Sequence, residues 1–110
     1  MAKSQSATVQ VPDMAEMAAE AAAFIKALSN EKRLLVLCRL IEVGEAPVGA
    51  LAEDVGLSQS ALSQHLALLR EDGIVDTRRD AQSVLYRIAD TRVERLVHLL
   101  HDMFCGDDAR

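Results

Sequence analysis

Apolar residues recur along this chain at helical intervals, and five stretches carry the pattern. The most regular holds Leu62, Leu66 and Leu69, spaced by four and three, so one stripe of that helix faces inward. Ser58 precedes it with a hydroxyl able to accept from the orphan amides of a starting helix. Leu57 and Leu62 then take the two positions of a hydrophobic staple, and Gly73 follows the last turn, where glycine adopts the left-handed conformation without steric cost. Upstream, Val48, Leu51, Ala52 and Val55 give a short amphipathic helix ended by Gly56. Earlier still, Pro12-Asp13 opens a helix with Asp13 as N-cap and Glu16 in near capping-box position; Met17, Ala21, Phe24, Ile25 and Leu28 form its stripe. Ser29-Asn30 interrupts it and caps a second helix, from Glu31 to Val43, apolar around most of its circumference and so expected to be the central buried one. The last helix runs from a Thr91-x-x-Glu94 capping box to Gly106, with Val93, Leu96, Val97, Leu100 and Phe104 on one stripe and Leu99 and Met103 widening it.

Between Gly73 and Thr91 the pattern changes. Ile74 to Arg78 and Val84 to Ile88 are β-prone runs separated by the turn-like Arg79-Asp80-Ala81-Gln82-Ser83. The expected fold is therefore mainly α with a small β-hairpin: five helices, the hairpin between the fourth and fifth, in one domain over residues 13–106. Residues 1–12 read as a flexible arm and 107–110 as a polar tail. Two helices joined by a glycine-containing turn are a helix-turn-helix, and a hairpin behind the second helix is the wing of a winged helix. On the outside of the first two turns of the fourth helix stand Gln59, Ser60, Ser63 and Gln64. An ordinary solvated helix more often carries Glu and Lys there; uncharged donors and acceptors suit base edges in a major groove. Arg78 and Arg79 near the tip of the wing, with Gln82 in its turn, are placed to reach phosphates or the minor groove.

Composition sharpens this picture only in part. The 110 residues are half apolar but 3% aromatic, so the core is built from Leu, Val, Ala and Met, as in helix packing. No apolar run is long enough to span a bilayer, and the polar N-terminus lacks the layout of a secretory signal, so a cytoplasmic protein with no membrane partner is expected. A net charge of −5 argues mildly against nucleic acid. The acid excess, however, lies outside the presumed reading head: from Ser58 to Arg95, Arg70, Arg78, Arg79, Arg87, Arg92 and Arg95 balance Glu71, Asp72, Asp76, Asp80, Asp90 and Glu94. That balance implies modest non-specific affinity and a larger share for specific contacts. The last helix carries more apolar surface than one partner covers, which points to a homodimer through the first and last helices. A two-fold dimer sets its recognition helices one DNA turn, about 34 Å, apart and reads a palindromic double-stranded operator.

The strings LSNEKRLLVLCRL and VGALAEDVGLSQSALSQHLALLREDGIVDTRRDAQSVLYRI, in this order of elements, resemble the ArsR/SmtB family of bacterial repressors over about residues 20 to 105. The resemblance implies a homodimeric, non-enzymatic repressor that leaves its operator when an inducer binds, often a metal ion. The family's metal signatures are missing. Pro47 and Gly49 stand where the third-helix thiolates would be, and Asp90 is followed by Arg92 rather than by the zinc-binding histidine of the last helix. No metal and no other cofactor is therefore expected. Cys38 within RLLVLCRL and Cys105 within LLHDMFC are instead similar to the sensor pair of the dithiol, BigR/SqrR/HlyU-like subgroup. There, the resemblance implies, reactive sulfur species such as persulfides, or oxidants, link the two thiols by a disulfide or polysulfide bridge and DNA is released. Members with the same reading head and no known sensor pair, of the nodulation-repressor type, are the runner-up.

Taken without the family, two distant cysteines are more often inert small hydrophobes. Cys38 is expected to face the centre of a buried helix, with the helix that ends in Cys105 across it. Neither position explains a reactive thiolate: Cys105 lies at the negative end of a helix dipole, and Arg39, next to Cys38 in sequence, points elsewhere on the helix. His98 and His101, spaced H-x-x-H, with the cysteines, make a mixed zinc site an alternative to the sulfur switch. A thiol enzyme and a protein–protein adaptor are the remaining alternatives. The first has no C-x-x-C motif or readable acid–base partner behind it. His65 and Tyr86 read as packing residues with satisfied polar atoms.

Overall fold

Leu37, Leu51, Leu62 and Leu66, all without exposed surface, draw three helices around one centre, and every other element is arranged about them. The computed structural model describes residues 11–106; the arm expected over most of 1–12 and the tail at 107–110 lie outside the described residues. Helix α1 spans Val11–Leu28, α2 Glu31–Val43, α3 Val48–Val55, α4 Gln59–Glu71 and α5 Thr91–Phe104. Strands β1 (Ala46–Pro47), β2 (Val75–Asp80) and β3 (Ser83–Ile88) form an antiparallel sheet in the order β1-β3-β2. This is a winged helix-turn-helix, mainly α with a β-hairpin wing.

The caps follow from residue chemistry, with two departures from the sequence expectation. Asn30 Oδ1 accepts from the amides of Lys32 and Arg33 at 2.9 and 3.1 Å, and Ser58 Oγ accepts from Ala61 N at 3.1 Å. Helix α4 ends as a Schellman motif: Ile74 N donates to Leu69 O, Gly73 N donates to Arg70 O, and Gly73 has φ 76°. Asp13, expected as the first cap, instead lies inside α1, which is already helical from Val11. At α5 the cap is Asp90, whose carboxylate accepts from Arg92 N at 2.9 Å, rather than Thr91. The carboxylate one residue earlier accepts from an orphan amide of the first turn and gains Arg92's guanidinium as well, at 2.7 Å.

The hairpin is tighter than its composition indicates. Arg79 and Asp80 join β2, Ser83 joins β3, and only Ala81-Gln82 turn the chain. Positive φ at Ala81 alone (58°) is the pattern of a two-residue type II′ turn. Strand β1 carries no apolar alternation. It forms because β3 offers a free edge, on which Ala46 pairs with Tyr86 and Pro47 with Leu85. Pro47, lacking an amide donor, is tolerated at such an edge and then starts α3.

Two helices are left with bare apolar faces. Among the described side chains of α1 only Ala27 and Leu28 are buried, while Met14, Met17 and Ile25 are exposed; in α5 only Val93 is buried, while Leu99, Met103 and Phe104 are exposed.

Replacing Asp90 with Ala is expected to cost about 1 kcal/mol of folding stability in chemical denaturation at neutral pH. The hydrogen bond from Arg92, more than any other contact, holds the Asp90 carboxyl below its usual range, so its contribution is full above the ordinary carboxylate value of about 3.9 and lost as pH falls through the folded value. The difference between wild type and variant should therefore close on acidification.

Candidate nucleic-acid interface and thiol pair

Burial of Leu62, Leu66 and Leu69 fixes the rotation of α4 and turns Gln59, Ser60, Ser63 and Gln64 outward, all four exposed. The turn before α4 is clamped from behind. Gly56 takes the left-handed conformation (φ 75°), and Lys32 Nζ of α2 donates to Val55 O at 2.8 Å. Gln59 lies back against α3, because a Cβ on Gly49 would sit 3.3 Å from Gln59 Nε2. Gly49 therefore makes room for the first residue of α4, a role with no signal in a lone glycine inside a short helix. His65 is half-buried on α4 and accepts a hydrogen bond from Arg33 Nε at 3.1 Å.

The wing separates its two arginines. Alternation along β2 puts Val75, Thr77 and Arg79 on the face turned to α4, where Tyr86, opposite Thr77, shares a groove with Ser63 and Leu68. Arg78 lies on the other face. Its guanidinium grips Glu45 with two hydrogen bonds of 2.7 and 2.8 Å, while Arg87 pairs with Asp76 at 2.7 Å and approaches Glu45 at 3.9 Å. The Arg78 hydrogen bond holds the Glu45 carboxyl below its ordinary value, and Arg78 is raised in return. Arg79 has no ion-pair partner among the described residues, and Gln82 is exposed in the turn beside it. Glu45 and Asp76 escaped the sequence reading because their partners lie across the sheet, 33 and 11 residues away.

Cys38 is solvent-accessible, contrary to its expected place at the centre of a buried helix. The buried arc of α2 is Val36, Leu37 and Leu40, and at about 100° per residue Cys38 falls on the opposite side. There it opens into a pocket of about 330 Å³ between α2 and α5, lined by Cys38, Ile41, Glu42, Val97, His98 and His101. Cys105 is the C-cap of α5, also accessible, and both thiols are free. Partial burial, then the neighbouring Cys105 and Glu42, push the Cys38 thiol above its ordinary value. Among the described residues of one chain, no three His, Cys, Asp or Glu side chains converge on a metal position. No helix among them is long and apolar enough to cross a membrane.

Comparisons with known proteins agree with this geometry. The chain is 45% identical over 101 residues to the transcriptional activator HlyU of Vibrio cholerae, covering 92% of this chain and 93% of that one. It is 42% identical over 96 residues to the biofilm growth-associated repressor of Xylella fastidiosa, covering 87% and 83%. The solved structure of reduced HlyU from Vibrio cholerae superposes with a TM-score of 0.80 at 46% identity, over 86% of this chain and 99% of that one. A homodimeric winged helix-turn-helix DNA-binding domain from Mycobacterium bovis gives 0.76 at 31% identity, over 93% and 94%. Residues 30–77 match the model of the arsR family of bacterial regulatory proteins, and the chain belongs to that family of dimeric, DNA-binding transcriptional regulators.

Proposed function

We propose that the protein is a homodimeric repressor that holds a palindromic operator and releases it when Cys38 and Cys105 become linked by a disulfide or polysulfide bridge. The observation that carries this reading is two free, accessible thiols on facing helices, Cys38 in the pocket between α2 and α5 and Cys105 at the C-terminal end of α5. Persulfides and related reactive sulfur species, or oxidants, are the inducers that chemistry admits. A relative of near-equal length having been solved as its reduced form supports a redox-variable state in this group.

Dimerisation through α1 and α5 follows from their bare apolar faces, Met14, Met17 and Ile25 on one and Leu99, Met103 and Phe104 on the other. In the complex, Gln59, Ser60, Ser63 and Gln64 face base edges, while Arg79 and Gln82 reach the backbone or minor groove beside the wing. Arg78 contributes less, since Glu45 already holds its charge. A Cys38–Cys105 bridge shifts α5 against α2, and α2 is hydrogen-bonded to α3 and α4 through Lys32, Arg33 and Arg39. The two recognition helices then no longer match both half-sites. A coupling of about 1–3 kcal/mol corresponds to a roughly 5- to 150-fold loss of affinity.

Cys38→Ser is expected to bind operator as the wild type does and to keep that affinity after treatment with a persulfide donor, as read by fluorescence anisotropy; normal release by the variant contradicts the switch. Arg79→Ala should weaken binding across all sequences and reduce the slope of log affinity against log salt by about 1, with a smaller change for Arg78→Ala. Salt titrations of the two variants distinguish this from equal roles.

A further inference from the structure

The pocket beside Cys38 contains a group that the switch as stated does not use. His98 and His101 both line it, but they are not equivalent. His98 also borders a second, wider groove along α5 with Glu94, Arg95, Leu99 and Asp102, so it faces two openings. His101 lies one turn before Cys105, whose amide donates to the His101 carbonyl at 2.8 Å. Residues four apart on a helix share a face. The imidazole of His101 thus stands in the pocket with Cys38 and on the same side of α5 as Cys105.

Bridge formation needs proton transfers to and from sulfur. An attacking thiol must lose a proton and the departing sulfur must gain one. The surroundings oppose the first at Cys38, where partial burial, then Cys105 and Glu42, disfavour the anion. Of the charged groups around the pocket, Glu42 on α2 is paired with Arg39 at 2.8 Å, Arg39 also holds Asp54 of α3, and on α5 Asp102 borders the neighbouring groove. That leaves the imidazoles. Imidazole is the side chain whose ordinary titration spans neutral pH, so it can accept and return a proton there.

Resting on the sulfur-switch reading, we propose that His101 is the acid–base group of the thiol relay and that the pocket it shares with Cys38 receives the persulfide. In the first exchange, Cys38 Sγ attacks the outer sulfur of R–S–SH, a bond forms between them, and the S–S bond of the donor breaks. The Cys38 proton passes through His101 to the departing sulfur, which leaves as RSH, and Cys38 carries a persulfide. In the second, Cys105 Sγ attacks Cys38 Sγ, the S–S bond of the Cys38 persulfide breaks, and the Cys105 proton passes through His101 to the departing sulfur, which leaves as hydrogen sulfide. A Cys38–Cys105 disulfide remains, and the donor's outer sulfur is the oxidant that has been reduced. Each further R–S–SH attacked by the Cys38 persulfide before closure adds one sulfur to its chain and releases one RSH; Cys105 then attacks the sulfur next to the terminal one, hydrogen sulfide leaves, and the added sulfur stays in the bridge.

The test mixes reduced, full-length wild type, His101→Gln and His98→Gln with glutathione persulfide under anaerobic conditions and follows the Cys38–Cys105 link by intact mass against time. The link is expected to form at least about tenfold more slowly in His101→Gln, with a smaller effect in His98→Gln. Free imidazole added to the buffer should restore the His101→Gln rate, which a purely structural defect would not allow. His101 is exposed, and operator binding by the reduced variant reports its fold; His101→Asn serves as the second variant. A wild-type rate in His101→Gln, a slow rate that imidazole leaves unchanged, or equal slowing in His98→Gln overturns the inference and leaves the switch standing. No link in the wild type overturns the switch itself.

Discussion

Helix α2 is the constraint on which the rest of this structure depends. Its buried arc of Val36, Leu37 and Leu40 is the floor of the core, and three cations on its flanks fasten the reading head to it. Lys32 binds the carbonyl end of α3, Arg39 binds Asp54 of α3, and Arg33 binds His65 of α4 while also reaching Ala27 O of α1. The exposed ion pairs add little individually. Their collective effect is geometric: α3 and α4 cannot rotate on the core without α2 moving too. The remaining side of α2 carries Cys38 and faces α5, so the proposed sensor and the reading head share one helix from opposite sides. In the proposed switch, a bond at the α2–α5 seam acts on the reading head through this one helix.

The wing illustrates how the same local chemistry is used twice. Strand alternation sends Arg79 toward the side of α4 and Arg78 away from it, where Glu45 and Asp76 fix Arg78 and Arg87 across the outer face of the sheet. The outer pairs stiffen a two-residue hairpin that carries a positive φ at an alanine, and they leave one wing arginine without an ion pair among the described residues. A chain with net charge −5 thereby presents a cation on the side of the reading helix while Arg39, Arg78, Arg87 and Arg92 are paired with carboxylates.

Periodicity made the five helices and the hairpin legible: α2, α3 and α4 bury stripes of the spacing that their leucines and valines display, and α1 and α5 repeat that spacing on faces left largely bare. Ser58, Asn30, Gly56 and Gly73 marked helix boundaries correctly, since caps are satisfied within a few residues of chain. What sequence could not carry was anything decided across space. β1 exists only as an edge partner of β3, and Glu45 found Arg78 from the far side of the sheet. Cys38 is the instructive case. A helix apolar on nearly all sides gives no sequence signal of which side meets the core, and the expectation of a buried cysteine failed on that ambiguity. The accessible position is the one that a thiol switch requires.

Resemblance located both cysteines, whereas the pocket with His101 came into view only when α2 and α5 were placed together. The central claim is that bridging and release are one event. It is tested most directly by titrating the operator-bound dimer with a persulfide donor and measuring, in the same samples, the fraction of chains with an intramolecular Cys38–Cys105 link by mass and the fraction of DNA released by anisotropy. The two fractions are expected to rise together. DNA leaving while both thiols stay unlinked, or a complete link on protein that remains bound, would contradict the claim.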